Sequence, residues 1–203
     1  AKYIKINEIK IWAQRLSYVG ELGYELYIKK DKAKEIYNLI INNGKKYQLS
    51  LCGMHAMDIM RMESGFLHWG HDISPEENLY QAGLNFTISY KKNIDFIGRD
   101  ALLKIKQEKL IKKFVMLSLK DSIPGKPLLL HDEPIYLNTK IIGRTTSGNY
   151  SFNYNKNLSF GYIDASLSSI DLQNKDLFIE IAKIKYPAVL ETIPLKNKSI
   201  RLN

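Results

Sequence analysis

The amino-acid sequence predicts an α+β fold, in which a mixed part of helices and strands precedes a small antiparallel β-barrel. Apolar residues with helical spacing occur only before Lys109. Beyond Lys109 the chain offers only short strand-like runs, which Gly, Pro, Asn and Asp interrupt at short intervals. That pattern is typical of a small barrel or sandwich. We therefore divide the chain into residues 1–108 and 109–203.

The start of the first part predicts strands and a helix. Residues 4–19 alternate loosely between apolar and polar side chains, which indicates a strand. Residues 17–28 predict a tight hairpin with residues 20–23, Gly-Glu-Leu-Gly, at its tip. Asp31 is expected to cap the helix that follows, and Gly44 to close it.

The remaining elements follow from the same patterns. Residues 47–53 predict a short extended segment, residues 53–64 a helix ended by Gly65, and residues 84–90 a strand. A turn and a helix are expected in FIGRDALLKIKQEK. In the second part we expect strands in six runs: KKFVMLSLK, PIYL, TKIIGRTTSG, LSFGYID, DLFIEIA and KYPAVLETI. The GRTTSG run, residues 143–148, predicts a strand with a bulge.

Composition narrows the classes of function. The 203 residues suffice for one large domain or two small ones, and 45% of them are apolar. The net charge of +9 comes from lysines scattered along a chain rich in Ile and Asn, without an Arg-rich tract. We therefore expect no nucleic-acid partner.

Cysteine use and hydropathy indicate the compartment. Cys52 is the single cysteine, so no internal disulfide forms and a reducing compartment such as the cytoplasm is expected. No apolar run approaches the length of a membrane span, so we expect no membrane partner. The first residues read as a strand already under way, which suggests a piece of a longer chain.

The helix at residues 53–64 carries a polar stripe on an otherwise apolar surface. His55, Asp58 and Arg61 share one face, because they are spaced three residues apart. An apolar helix of this kind is expected to be buried, and its polar stripe then faces water, a partner or a site. The simpler interpretation is a solvent-facing stripe with an Asp58–Arg61 pair.

The sequence gives little support for a metal site or for a nucleophilic cysteine. His68, His71 and Asp72 lie close in sequence, but their spacing matches no zinc motif, so we expect histidines that hydrogen-bond locally and no metal site. Trp69 between them is expected to pack. Cys52 stands among apolar residues and is expected to be a small core residue rather than a nucleophile.

Glu21 is the notable residue of the predicted hairpin tip. Read locally, it is a turn residue with glycine on each side of the Glu-Leu pair. A carboxylate can also accept two parallel N–H donors, such as those of a guanidinium or of the amino-pyrimidinone edge of a pterin. Both interpretations stay open from the residues alone.

Three segments together resemble the glycine-cleavage T-protein (aminomethyltransferase) family. The family's Y-x-G-E-x-G-x-E segment is similar to YVGELGYEL. Its longer segment G-x-x-A-x-D-x-x-R-x-E-x-G…G-H-D-I…E-A-G-L is similar to CGMHAMDIMRMESGFLHWGHDISPEENLYQAGLNFTI. DFIGRDAL resembles F-I-G-R-E-A-L. The HWGHDIS wording is most similar to the folate-binding regions of dimethylglycine and sarcosine dehydrogenases. The resemblance implies a partial folate-binding α/β domain with ferredoxin-like elements, followed by the family's β-barrel.

The resemblance also implies a function and two site residues. Tetrahydrofolate is the implied cofactor, and a small amine the implied donor of the one-carbon unit. Glu21 matches the glutamate that binds the pterin ring, and the glycines around it are expected to clear space for that flat ring. Arg61 matches the arginine counted among the folate contacts, although it could instead pair with Glu63 or Glu21 and position the site.

Departures from the family limit what the resemblance implies. The family's catalytic aspartate belongs to an N-terminal half that nothing here matches, so no residue is assigned a catalytic role. A C-terminal tyrosine of some members would fall near Ile200, where this chain has no aromatic residue. An N-terminal half or a flavin domain, upstream or in another chain, is expected to complete the site. Alternatives are a non-catalytic folate-binding or interaction module and a demethylase acting on another methyl donor, such as a sulfonium compound.

Overall fold

The computed structural model describes residues 1–92, 94–121, 123–168, 172 and 176–195. Within these residues the chain divides into two compact units, residues 1–66 and residues 67–195. The predicted boundary near Lys109 thus lies within the second unit, and it stays a prediction for the domains of the intact protein.

The first unit contains a three-stranded antiparallel sheet of β1 (Lys2–Ile6), β2 (Ile9–Gln14) and β3 (Glu25–Tyr27), in that order. The prediction of one strand over residues 4–19 is wrong, because the chain reverses at Asn7 and Glu8. Both of these residues have positive φ, 44° and 63°, as a two-residue hairpin turn with the twist of its strands requires.

The predicted hairpin over residues 17–28 is also wrong, although its second strand is confirmed in part as β3. β2 ends at Gln14 and pairs directly with β3, with Trp12 opposite Tyr27. Residues 15–24 form the loop between the two strands and contain no strand of their own. Glu21 therefore lies in a longer loop rather than at a hairpin tip.

The first unit also contains two α-helices, α1 (Lys30–Gly44) and α2 (Met54–Glu63), and a short 3-10 helix at Lys45–Tyr47. α1 ends at Gly44 as predicted, where the space for a Cβ is filled by the side chain of Leu49. Its N-cap is Lys29 without a side-chain hydrogen bond, so the prediction that Asp31 caps it is wrong. Asp31 lies in the first turn, where its negative charge interacts favourably with the positive end of the helix dipole.

α2 is confirmed over the predicted residues, but its burial is uneven. Ile59 and Met62 are buried, whereas Met54 at its start is 72% exposed. The described residues 49–53 that lead into it form no strand and are exposed. Cys52 is exposed as well, so the prediction of a buried core cysteine is wrong.

The second unit begins with an irregular stretch. The predicted strand over residues 84–90 is wrong, because Asn85–Thr87 forms a short 3-10 turn in which the Thr87 hydroxyl donates to the carbonyl of Leu84 at 2.7 Å. The helix α3 (Arg99–Gln107) is confirmed, and Gly98, with φ of 89°, precedes it.

A closed antiparallel barrel makes up the rest of the second unit, and all six predicted strands are confirmed. They run β4-β7-β6-β5-β8-β9 around the barrel, with β9 paired to β4. Their bounds are β4 (Lys112–Leu119), β5 (Pro134–Leu137), β6 (Lys140–Ser151), β7 (Lys156–Asp164), β8 (Leu177–Ile181) and β9 (Ile184–Glu191). Aliphatic side chains from every strand fill the interior, including Leu117, Ile135, Ile142, Ile163, Ile179 and Ala188.

Strands β6 and β7 approach each other unusually closely. A Cβ at Gly143 would lie 1.9 Å from the carbonyl oxygen of Tyr162, and one at Gly161 2.6 Å from that of Arg144. The pairing register also shifts between Thr145 and Ser147, which confirms the predicted bulge. The glycines thus permit the strand contact that bends β6 around the barrel.

The close approach at Gly143 predicts a measurable loss of stability. Gly143→Ala forces backbone movement between β6 and β7, and we expect it to lower the free energy of unfolding by about 1–3 kcal/mol. Urea denaturation followed by circular dichroism measures this change. Glu76→Ala is the control, because Glu76 is exposed and belongs to the same unit as Gly143. Equal stability of the two variants would contradict the packing described here.

Candidate functional site

Glu21 is half-buried in the loop of residues 15–24, and the chain itself explains the glycines on either side of it. Gly20 has φ of 71°, a conformation that other residues adopt only with strain. A Cβ at Gly23 would lie 3.0 Å from the carbonyl oxygen of Leu16, so the two ends of the loop touch there. Clearance for a flat ligand, the predicted reason for these glycines, stays a prediction.

A hydrogen-bond contact and a ring contact attach the loop to the C-terminal end of α2. The Ser64 hydroxyl lies 3.1 Å from the carbonyl oxygen of Val19, and it can donate its one proton there or to the carbonyl of Met60 at 3.0 Å. The ring of Tyr18 stacks on that of Phe66, with centroids 6.3 Å apart and planes 16° from parallel. The structure therefore brings the Glu21 loop and the Arg61 helix into one neighbourhood.

Arg61 is 1% exposed and is engaged by its own surroundings. Its Nε and Nη2 donate to Asp58 Oδ1 at 2.9 and 2.8 Å, and its Nη1 donates to the carbonyl of Phe66 at 3.1 Å. The predicted Asp58–Arg61 pair is confirmed. The prediction that the stripe faces solvent is wrong for Arg61, although His55 at its other end is exposed.

The end of α2 explains the spacing of the R-x-E-S-G run. Gly65, with φ of 75°, donates its N–H to the carbonyl of Met62, and Phe66 donates its N–H to the carbonyl of Arg61, both at 2.9 Å. This pair of bonds is a Schellman cap, which needs a residue with positive φ at the position of Gly65. Arg61 therefore holds Phe66 twice, through its main-chain oxygen and through its guanidinium.

In the second unit, Asp72 is a fully buried carboxylate that sequence patterns did not single out as a structural anchor. Its Oδ1 accepts hydrogen bonds from the hydroxyls of Thr146 at 2.6 Å and Ser147 at 2.7 Å. Its Oδ2 accepts the backbone N–H of His68 at 2.9 Å, and its carbonyl accepts the Tyr162 hydroxyl at 2.8 Å. Asp72 thus fastens the G-H-D-I segment to the bulge of β6. Only the bulge was detectable in the sequence, since the pairing joins distant segments.

The histidines of this segment lie near one another without forming a recognised metal centre. The rings of His68 and His71 are 4.6 Å apart, and that of His131 is 6.3 Å from His71. No group of three potential metal ligands was found among the described residues. Trp69 is 66% exposed, so the prediction that it packs is wrong.

Glu77 is a second carboxylate of this region, and its hydrogen-bond partners stabilise its ionised form. Burial opposes the charge and acts to raise the pKa of Glu77, but hydrogen bonds from Lys112 Nζ and from the hydroxyl and N–H of Ser74 outweigh it. The pKa of Glu77 is therefore lower than the ordinary 4.5. The Lys112–Glu77 pair, at 2.5 Å, joins the segment before α3 to the first residue of β4.

Comparisons with known proteins agree with this architecture. A family model described as the GCVT N-terminal domain matches residues 1–92, and one described as the glycine cleavage T-protein C-terminal barrel domain matches residues 112–195. The crystal structure of the glycine cleavage system aminomethyltransferase T from Bartonella henselae covers 91% of this chain, with a TM-score of 0.77 and 21% identity. That match covers 49% of the Bartonella chain and supports the fold.

Two curated relatives are more similar in sequence. Human mitochondrial dimethylglycine dehydrogenase is 35% identical over 195 residues, which are 96% of this chain and 22% of that protein. The aminomethyltransferase of Symbiobacterium thermophilum is 33% identical over 156 residues, 77% of this chain and 40% of the relative. The chain thus spans well under half the length of either relative. In the part of the chain described by the structure, no helix has both the length and the apolar character needed to cross a membrane.

The buried position of Asp72 predicts different costs for two substitutions. Asp72→Ala removes the oxygen that accepts hydrogen bonds from the hydroxyls of Thr146 and Ser147, and we expect a loss of about 3 kcal/mol in unfolding free energy. Asp72→Asn keeps one oxygen acceptor and should cost less. Glu76→Ala, at an exposed position of the same segment, is the control. If Asp72→Ala unfolds at the same denaturant concentration as the control, the anchoring role is excluded.

The lowered pKa of Glu77 predicts a pH dependence of stability. A carboxylate with a depressed folded-state pKa stabilises the protein above its unfolded pKa, and this contribution is lost as pH falls through the folded value. We expect the melting temperature to fall as pH decreases from about 5 to about 3, and to fall less steeply in Glu77→Gln. Glu76→Gln should keep the wild-type slope. Identical slopes for all three proteins would show that Glu77 is not held ionised.

Proposed function

The chain belongs to the glycine-cleavage T-protein family, and on that basis we propose that it binds the pterin ring of tetrahydrofolate through Glu21. It would be the cofactor-binding portion of an enzyme that transfers a one-carbon unit from a small amine to tetrahydrofolate. The observation that carries the proposal is the position of Glu21, half-buried in a loop that is held at its base and against α2.

The chemistry of Glu21 suits the donor edge of a pterin. An ionised carboxylate offers two oxygens to two parallel N–H donors, and such charge-assisted bonds are about twice as strong as neutral ones. Half-burial strengthens the interaction further, because less water competes for the donors. The neighbouring Leu22 and Tyr24 are 52% and 62% exposed and offer apolar surface for the faces of a ring.

Arg61 serves the same site in one of two ways. As a permanent cation it suits an acceptor edge of the cofactor or its anionic glutamyl tail. Its burial and its bonds to Asp58 and Phe66 support the other way, in which it fixes the end of α2 and positions the loop. The net charge of +9 further favours polyglutamylated folate, which is a polyanion.

The complete reaction is proposed for an intact enzyme rather than for this chain alone. The relatives with the printed names dimethylglycine dehydrogenase and aminomethyltransferase are much longer, so an upstream half or flavin domain would supply the catalytic carboxylate and the amine site. A non-catalytic folate-binding module remains the second candidate, since no residue here is assigned to the chemical step. A cytoplasmic location remains a prediction; the human relative carries the name of a mitochondrial protein.

Isothermal titration calorimetry with tetrahydrofolate tests the proposal in the full-length protein. Glu21→Gln removes the charge but keeps the size, and we expect a roughly ten- to hundredfold loss of affinity. Glu35→Gln is the matched control, because Glu35 is exposed on α1, outside the segment that resembles the family's folate-binding motif. Absence of binding in the wild type, or equal affinity of Glu21→Gln and wild type, would refute the assignment. Binding without amine-dependent turnover would favour the non-catalytic module.

A further inference from the structure

We propose that Tyr18, Ser64 and Phe66 are positioning residues that hold the Glu21 loop in the conformation that receives the cofactor. Arg61 takes part as the anchor of Phe66. The inference rests on the proposed function for the identity of the ligand. Its structural part, that these side chains order the loop, concerns the unliganded protein and can be tested without any ligand.

The loop of residues 15–24 needs such support because no strand pairing holds it. Each residue that is fixed in one conformation loses about 1–2 kcal/mol of entropy, so contacts from outside the loop must offset the cost. Within the loop, the N–H of Val19 donates to the Ser17 hydroxyl at 3.3 Å, and Gly23 closes on Leu16. This hydrogen bond and this close approach hold the base of the loop, and Glu21 lies beyond them.

The contacts from α2 act on the two residues just before Gly20. Tyr18 stacks on Phe66, and the carbonyl of Val19 faces the Ser64 hydroxyl. Gly20 then turns the chain with its positive φ, so that Glu21 follows directly from a fixed stretch of backbone. The backbone that carries Glu21 is therefore connected to the end of α2 through Tyr18, Val19 and Gly20.

Phe66 can serve as a support because Arg61 fixes its backbone on both sides. The Phe66 N–H donates to the Arg61 carbonyl at 2.9 Å, and the Arg61 guanidinium donates to the Phe66 carbonyl at 3.1 Å. The Phe66 ring is still 39% exposed, so burial alone does not hold it in place. The Schellman cap thus presents the ring to Tyr18.

Hydrogen–deuterium exchange of the unliganded protein tests the support directly. Phe66→Ala and Tyr18→Ala should each raise the exchange rate of the Val19 amide, which donates to the Ser17 hydroxyl, by about tenfold, while α1 exchanges as in the wild type. Phe66→Tyr and Tyr18→Phe keep the stacked rings and should restore protection. Phe86→Ala, which removes a 79% exposed ring in the other unit, is the control. Unchanged exchange in both alanine variants would overturn the proposal.

A double-mutant cycle with tetrahydrofolate then tests whether the support acts through Glu21. Ser64→Ala and Tyr18→Ala should each weaken binding by about three- to tenfold in the wild-type background and not at all in Glu21→Gln, whereas Ser64→Thr retains the hydroxyl and the affinity. An equal loss in both backgrounds would show that these residues do not act through Glu21, which overturns the positioning role. If the wild type does not bind tetrahydrofolate, the proposed function fails, and the exchange experiment still decides whether the rings order the loop.

Discussion

The hold of Arg61 on Phe66 is the interaction on which the candidate site depends. A guanidinium that is 1% exposed is tolerated only when its N–H groups find acceptors, and here Asp58 and the carbonyl of Phe66 supply them. Breaking such a buried arrangement by removing one partner typically costs about 3–5 kcal/mol. The carbonyl of Arg61 also accepts the Phe66 N–H, so Arg61 fixes the end of α2 through both its main chain and its side chain. The loop that carries Glu21 is then built against that end.

The second unit is organised around a comparable anchor. Asp72, fully buried, accepts hydrogen bonds from two hydroxyls of the β6 bulge and from the N–H of His68. A bulge interrupts the strand ladder, and in this barrel the interruption supplies donors that a regular strand would not place together. In both units, therefore, a motif that resembles the family pattern coincides with a buried charged residue that fixes irregular backbone.

The barrel was predictable because its strands obey a local rule. Each is a short strand-like run bounded by Gly, Pro, Asn or Asp, and all six runs became strands at nearly the expected positions. The loop around Glu21 was not predictable in this way. Gly20 and Gly23 suggested a tight turn, but one of them supplies a positive φ and the other a close approach to Leu16. Only the tertiary structure distinguishes these uses of glycine from a hairpin tip.

The surroundings of several side chains also depend on the tertiary structure and were not predictable from local sequence. The Asp58–Arg61 pair followed from helical spacing, but the burial of Arg61 and its bond to Phe66 depend on the chain reversal after Ser64. The exposure of Cys52 contradicted an expectation based on its apolar neighbours, because apolar sequence does not establish burial when the segment forms neither helix nor strand. Ile200, near which a family tyrosine was sought, lies outside the described residues.

We propose that Glu21 meets the donor edge of the pterin from a loop ordered by α2. A crystal structure of the full-length protein with tetrahydrofolate bound would show this contact. We expect the pterin amino and ring N–H groups within about 2.9 Å of the two Glu21 carboxylate oxygens, with Tyr18 still stacked on Phe66. A pterin bound elsewhere, or a Glu21 carboxylate turned away from it, would refute the proposed contact.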